Sequence, residues 1–306
     1  MGRYILRRLV LTIPVLLGVA TLVFALIHLV PGDPAVAMLG ESASPGDLQE
    51  LRARLGLDRP LLLQYRHFLT GLAHADLGTS FRYNTPVTRE IAQRLGPTAT
   101  LASVAMIVAL LFALPLGVIG ALYRGKAVDH AAMTLSLAGI AMPNFWLGPV
   151  LAIVFAVQLG WLPVSGIGTW RHLVLPALTL GAALSAITAR MMRASLGDEL
   201  RELYVLAARA RGLSRSRAVI AHALRNSLIP VVTIIGLQLG SVLTGTIITE
   251  TIFSWPGVGR LLIQAISFRD YPLVQGCILL IAVTYVAMNL IVDLLYALLD
   301  PRIRYQ

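Results

Sequence analysis

The chain has 306 residues, 57% hydrophobic and 13% charged, whereas an ordinary soluble domain carries about 25% charged residues. With a mean hydropathy of +0.77, the composition excludes a water-soluble single-core protein and requires a polytopic membrane protein. The net charge of +10 does not call for nucleic acid, because basic residues collect at the cytoplasmic ends of spans. The single cysteine, Cys277, excludes an intramolecular disulfide and a cysteine metal cluster, and its apolar run marks it as a packed thiol.

Arg3, Arg7 and Arg8 precede an apolar run from Leu9 to Ile27. It is too long for the apolar region of a cleaved signal, which takes about 7–15 residues, and long enough for a span. The first span is therefore expected at 9–30, as an uncleaved anchor, and residues 1–30 form the first segment. Pro31-Gly32-Asp33-Pro34 ends it. Residues 31–97 are polar and hold no span. Ser44-Pro45 reads as a capped helix start with proline at the first helical position, followed by Leu48, Leu51 and Leu55 on one face. A second amphipathic helix is expected from Leu61 to His74. Together these make a small extracytoplasmic helical layer. Residues 98–306 form the core, with apolar runs at 98–122, 131–159, 173–193, 228–250 and 273–298. The expected fold is all-α with six transmembrane helices. Trp161 and Trp170 stand where an aromatic belt would lie.

Charge sets the expected orientation. With both termini in the cytoplasm, the inside holds Arg3, Arg7, Arg8, Arg124, Lys126, the basic run from Arg190 to Arg225, Arg302 and Arg304. The short outer loops hold only Arg171, Arg260 and Arg269. The long outer loop counts for little, since the rule weakens above about 60 residues.

Catalytic patterns are missing from the sequence. GALYRGKA at 120–127 nearly matches a phosphate-binding loop, but Ala127 replaces the hydroxyl residue and no strand precedes it. Glu250 and Asp293 are the candidate intramembrane acids, both near span ends where a charge reaches water cheaply. Asn144, Gln238, Ser241, Thr244 and Asn289 are uncharged mid-span polar residues that either join helices or line a wet path. Gly236-x-x-x-Gly240 reads as a packing site.

The inner loop, 194–227, carries the main signal. A helix is expected over 199–213, with Asp198 and Glu199 at its positive end and Arg209 and Arg211 at its negative end. Gly212 is a suitable left-handed stop, Leu213 a Schellman partner, and Ser214 a cap for the next helix. With membrane on both sides, this helix has no core of its own chain in reach. Ala207, Ala208 and Ala210 give little bulk for lipid insertion, and small residues suit a helix seated in a protein groove.

YVLAARARGL, Tyr204 to Leu213, resembles the EAA loop of ABC-transporter permeases: Ala207, Ala208 and Gly212 match, and Leu206 stands for the glutamate. HLVPGDP (28–34), LGLDRPLLLQY (55–65), DLGTSF (76–81), MPNFWLG (142–148), LGWLPVSG (159–166), TETIFSWPGVGRLL (249–262), RDYPLV (269–274) and DLLYALLDPRIRY (293–305) extend the likeness over nearly the whole chain. It is similar to B-type permeases of the dipeptide/oligopeptide/nickel importer family, with the short LPVSG–LPALTLG spacing of the glutathione type. The resemblance implies a type I ABC importer permease fold in a bacterial inner membrane. It implies a non-catalytic chain that binds no cofactor, with ATP and Mg used by two partner ATPases. A homologous second permease would complete a heterodimer, and an extracytoplasmic solute-binding protein would deliver dipeptides, oligopeptides or similar solutes. Residues 199–213 would couple to the ATPases, with Tyr204, Ala207, Ala208 and Gly212 as the seat and Arg209 and Arg211 as flanking ion pairs. The alternative is a stand-alone channel or an ion-coupled secondary carrier.

Overall fold

The computed structural model describes residues 2–29, 33–40 and 43–299. Among them no β-strand forms; Thr79 and Pro86 make an isolated antiparallel bridge. Two compact units divide the chain. One holds 99–255 and the segment from 287 onward, the other 2–98 and 256–286.

The second unit begins with α1, Gly2–Leu29. The break expected at Pro31-Gly32 lies outside the described residues. Asp33 then caps α2, Pro34–Leu39, by accepting from the Ala35 amide, and pairs with Arg52 on α3, Pro45–Leu55. Ser44 caps α3 as expected, accepting from the Asp47 amide, and Gly56 at φ +69° ends it. The amphipathic helix expected from Leu61 is α4, Leu61–Ala73.

α5, Val87–Leu122, begins well before the apolar run that announced it. Its first turns are held by Glu90, which accepts from Thr85 and pairs with Arg94. The run expected as one straight span at 131–159 is instead bent by 101° between α6, Ala127–Ala141, and α7, Asn144–Ala152, which continues as a π-helical segment to Gln158. A local reason contributes: Pro143 disfavours helical backbone at Met142, which takes φ −96° and ψ 114°. α8 follows at Arg171–Glu199, then α9 at Leu203–Ala210. α10, Arg215–Ala218, runs through a π-helical segment, Val219–Ala223, into α11, Leu224–Ile252. α12, Val258–Ser267, and α13, Tyr271–Leu299, close the chain.

Among the described residues four helical runs are long and apolar enough to cross a membrane: α5, α8, Ser216–Val242 and Tyr271–Val292; the bent pair makes a fifth. Among the described residues α1 carries the apolar stretch Val10–Ala25, part of the Leu9–Ile27 run, and over its full length the helix measures about 42 Å. Within the described residues each of the six expected segments is built of helix, the 131–159 segment as the bent pair.

In the first unit α8 is the central helix, and small residues let its neighbours approach. A Cβ on Gly139 of α6 would lie 2.4 Å from the Ala182 carbonyl oxygen, and one on Gly117 of α5 would lie 2.6 Å from Met192 Cβ. Lipid tails are as apolar as leucine, so close backbone packing supplies the adhesion between spans. Gly236 on α11 plays the expected packing role, with Val292 of α13 2.7 Å from where its Cβ would be.

Candidate functional site

The segment between α8 and α11 is short, and each turn of it is fixed. α8 closes with tightened bonds from Arg201 to Asp198 and from Glu202 to Glu199. Glu202 is extended, at φ −65° and ψ 142°, and α9 starts after it. At the far end Gly212 has φ +91°. Its amide donates to Arg209, and the Leu213 amide donates to Ala208. This pair of bonds is the expected Schellman closure. Ser214 then caps α10, accepting from the Arg217 amide.

Two expectations are corrected. The helix does not begin at Glu199, which is the last residue of α8, and the 199–213 helix shrinks to Leu203–Ala210. Asp198 and Glu199 therefore sit at a helix C-terminus, where negative charge is unfavourable. Arg124 compensates Asp198 at 3.7 Å, and the Tyr204 hydroxyl donates to Glu199. Nor is α9 without a core of its own chain. Val205, 2% exposed, packs in a cluster with Met192, Leu196, Ala218, Val219 and Ala223. That apolar stripe also keeps the helix from α10 into α11 continuous through the end of the expected loop.

Tyr204 thus holds α9 in place. It donates to Glu199 and accepts from Asn226 at 3.0 Å, joining the end of α8 to α11. Burial first and the Glu199 carboxylate second push its phenol above the ordinary value, so it stays protonated as a donor. On the outer side Leu203, Leu206, Ala207, Ala210, Arg209 and Arg211 are exposed, and Ala208 is half-buried. Leu203 is 80% exposed. The helix is clamped on one flank and bare on the other.

The mid-span polar residues part company. Gln238 is 5% exposed; it accepts from Thr188 and donates to the Leu184 carbonyl, so it joins α11 to α8. Ser241 is exposed and donates to the Gln238 carbonyl of its own helix. Asn144 is half-buried at the start of α7, just past the bend, and Asn289 is half-buried on α13. The side chains of Thr244 and Asp293 lie outside the described residues. Glu250 is fully buried, contrary to the expectation that it reaches water. The turns after Ile252 fold over the end of α11, with the Trp255 amide donating to the Glu250 carbonyl.

Two side-chain constellations escaped the sequence reading. Asp129, fully buried in the first turn of α6, accepts from Arg193 Nε and a terminal guanidinium nitrogen, both at 2.6 Å, and from the Gly125 amide at 2.9 Å. The Gly125 amide that a phosphate would require in GALYRGKA is therefore already donated inside the turn. The signal was legible: Arg193 is a cation inside an apolar helix, and such a residue seeks a partner. The second is Asp270, fully buried, which accepts from Ser80 Oγ at 2.5 Å and from the Arg82 amide at 3.2 Å. It ties DLGTSF to RDYPLV. Among the described residues no group of three His, Cys, Asp or Glu could hold a metal ion.

Residues 113–305 match the family described as binding-protein-dependent transport system inner membrane component, and residues 1–102 match its N-terminal companion. The glutathione transport system permease protein GsiC of Pectobacterium atrosepticum is 47% identical over 306 residues, covering 100% of both chains. The protein of that name from Escherichia coli K12 is 44% identical over the same full length. Among solved structures, the MetNI methionine ABC transporter in an inward-facing conformation aligns with TM-score 0.57 at 17% identity, over 69% of this chain and 96% of that one. An amino acid ABC transporter with histidines aligns with TM-score 0.52 at 19% identity, over 70% and 94%. At those identities the structures speak for the fold alone, while the full-length likeness and the family match speak for descent: the chain belongs to the inner membrane permease components of binding-protein-dependent ABC importers, in the peptide/nickel branch.

Proposed function

We propose that the chain is half of the translocation pathway of an importer for glutathione or a similar small peptide-like solute, and that α9 couples it to cytoplasmic ATPases. The observation that carries the coupling is the asymmetry of α9. Val205 and Tyr204 fix it to the body, while Leu203, Leu206 and the small face of Ala207 and Ala210 are uncovered beside Arg209 and Arg211. A rigid helix held this way transmits displacement, and a docked partner shifts a conformational equilibrium only through contacts that differ between its states. ATP and Mg belong to the two ATPase subunits. Both termini and α9 then face the cytoplasm, and a homologous, non-identical permease supplies the other half of the pathway.

The solute is read from the relatives, whose shared name specifies glutathione transport over the full length of the match. An extracytoplasmic solute-binding protein would dock on residues 31–97 with 251–272; the joint through Asp270 supports a common surface for parts of both. Asn144, Ser241 and Asn289 remain the proposed pathway-lining residues. The test is uptake of radiolabelled glutathione into proteoliposomes holding this chain, its second permease and its ATPases, with the receptor and ATP supplied on opposite sides. Uptake that requires every component is expected. Uptake by this chain alone, without ATPases, would overturn the coupling and favour a carrier.

A further inference from the structure

The turn that leads into α5 is held from several sides. The Ser80 amide donates to the Thr85 carbonyl at 2.9 Å, the Asn84 amide to Ser80 at 3.1 Å and the Val87 amide to Gly78 at 3.0 Å. Asn84 takes a left-handed φ of +52°. Asp270 fastens the same turn to the segment after α12, through Ser80 and the Arg82 amide. A turn fixed in this way has little conformational freedom to lose on binding.

Charge is sorted across this joint. Residues 78–98 and 256–271 hold five arginines, Arg82, Arg89, Arg94, Arg260 and Arg269, against two carboxylates, Glu90 and Asp270. Both carboxylates are buried, and both are engaged within the joint: Glu90 by Thr85 and Arg94, Asp270 by the turn. Arg82, Arg89 and Arg269 are exposed, and no carboxylate among the described residues forms an ion pair with them. Arg82 and Arg269 rise from backbone that meets at Asp270, since the Arg82 amide bonds that carboxylate and Arg269 precedes it. The Arg82 guanidinium lies over the Phe268 ring, 3.4 Å from its centroid. Stacking orders the planar fork that suits a carboxylate.

These cations stand clear of lipid. From the turn, α5 runs from Val87 to Thr98, about 16 Å, before the apolar run begins. A headgroup layer is only about 5–8 Å deep on each side. The exposed neighbours Thr79, Asn84, Pro86 and Thr88 offer no bulky side chain of the kind that anchors a basic segment in a membrane.

We propose that Arg82, Arg89 and Arg269 form a basic docking face for a carboxylate-bearing surface of the extracytoplasmic solute-binding protein, with the stacked Arg82 as its anchor. It rests on the importer reading above, and it names the contact and its chemistry. Arginine is enriched among the residues that dominate interfaces. Opposite charge speeds the encounter of two proteins and is screened by salt.

The complete importer, in nanodiscs of phosphatidylethanolamine and phosphatidylglycerol, is titrated with the glutathione-loaded binding protein. ATP hydrolysis is read against receptor concentration at low and at high NaCl. Arg82→Gln with Arg89→Gln, which leaves the backbone bonds of the turn in place, raises the half-saturating receptor concentration roughly fivefold at low salt, and the gap closes at high salt. Arg82→Lys keeps the wild-type salt dependence. An unchanged half-saturating concentration overturns the proposal, as does a rise of equal size at both salt levels, which would mark a structural defect. A shift that vanishes when phosphatidylglycerol is omitted assigns the cations to headgroups and also overturns it. Hydrolysis by the wild-type assembly that ignores the receptor altogether would remove the importer reading itself, and this face with it.

Discussion

Shortening Val205 to alanine tests whether α9 acts as a rigid lever. Val205 is the buried residue of that helix, 2% exposed among Met192, Leu196 and Ala218. Removing two methyl groups forfeits about 1.6 kcal/mol of transfer free energy at ~0.8 kcal/mol per group. The cavity left in so closed a site raises the cost to roughly 2 kcal/mol. At about 1.4 kcal/mol per tenfold, that shifts the balance between clamped and released helix by roughly 25-fold. The exposed face is untouched, so any partner contact keeps its chemistry. Hydrogen exchange followed by mass spectrometry reads the release directly: amides from Leu206 to Leu213 should exchange roughly 25-fold faster. Uptake and ATP hydrolysis are then measured on one proteoliposome preparation, and uptake per ATP should fall. Faster exchange with unchanged uptake per ATP would refute the lever. Unchanged exchange would refute the clamp.

Three further outcomes follow from particular contacts. Gly212→Pro demands φ near −65° where the chain has +91°, and it removes the amide bonded to Arg209; at about 3 kcal/mol or more it should abolish co-purification of the ATPases with membrane insertion intact, whereas Gly212→Asn, which tolerates this backbone, should retain them. Asp129→Ala leaves Arg193 without its carboxylate and should cost about 3–5 kcal/mol, read as a lowered Tm in detergent, with much of it regained by adding Arg193→Met. Gly139→Ala puts a methyl 2.4 Å from the Ala182 carbonyl oxygen; backbone cannot swing away like a side chain, so overpacking of about 1–3 kcal/mol should separate α6 from α8 and lower the Tm.

Sequence alone determined the features that depend on near neighbours in the chain. Apolar run length located the membrane segments, because burying a backbone in lipid requires an uninterrupted helix. Ser44, Gly212 and Ser214 announced their caps, because a cap is made within four residues of the helix it ends. The Schellman bonds at Ala208 and Arg209 could be written down before any fold was known. Tertiary structure decided whatever depends on distant partners. Met142-Pro143 allowed a bend in the third span, but only the assembled fold set it at 101°. Gln238 looked equally fit for a pathway and a joint until α8 supplied Thr188 and Leu184. Glu250 stood near a span end, yet packing buried it. The loop helix began at Leu203 and not at Glu199 because Val205 had to reach a pocket lined from α8, α10 and the π-helical segment after it, a constraint with no trace in local spacing.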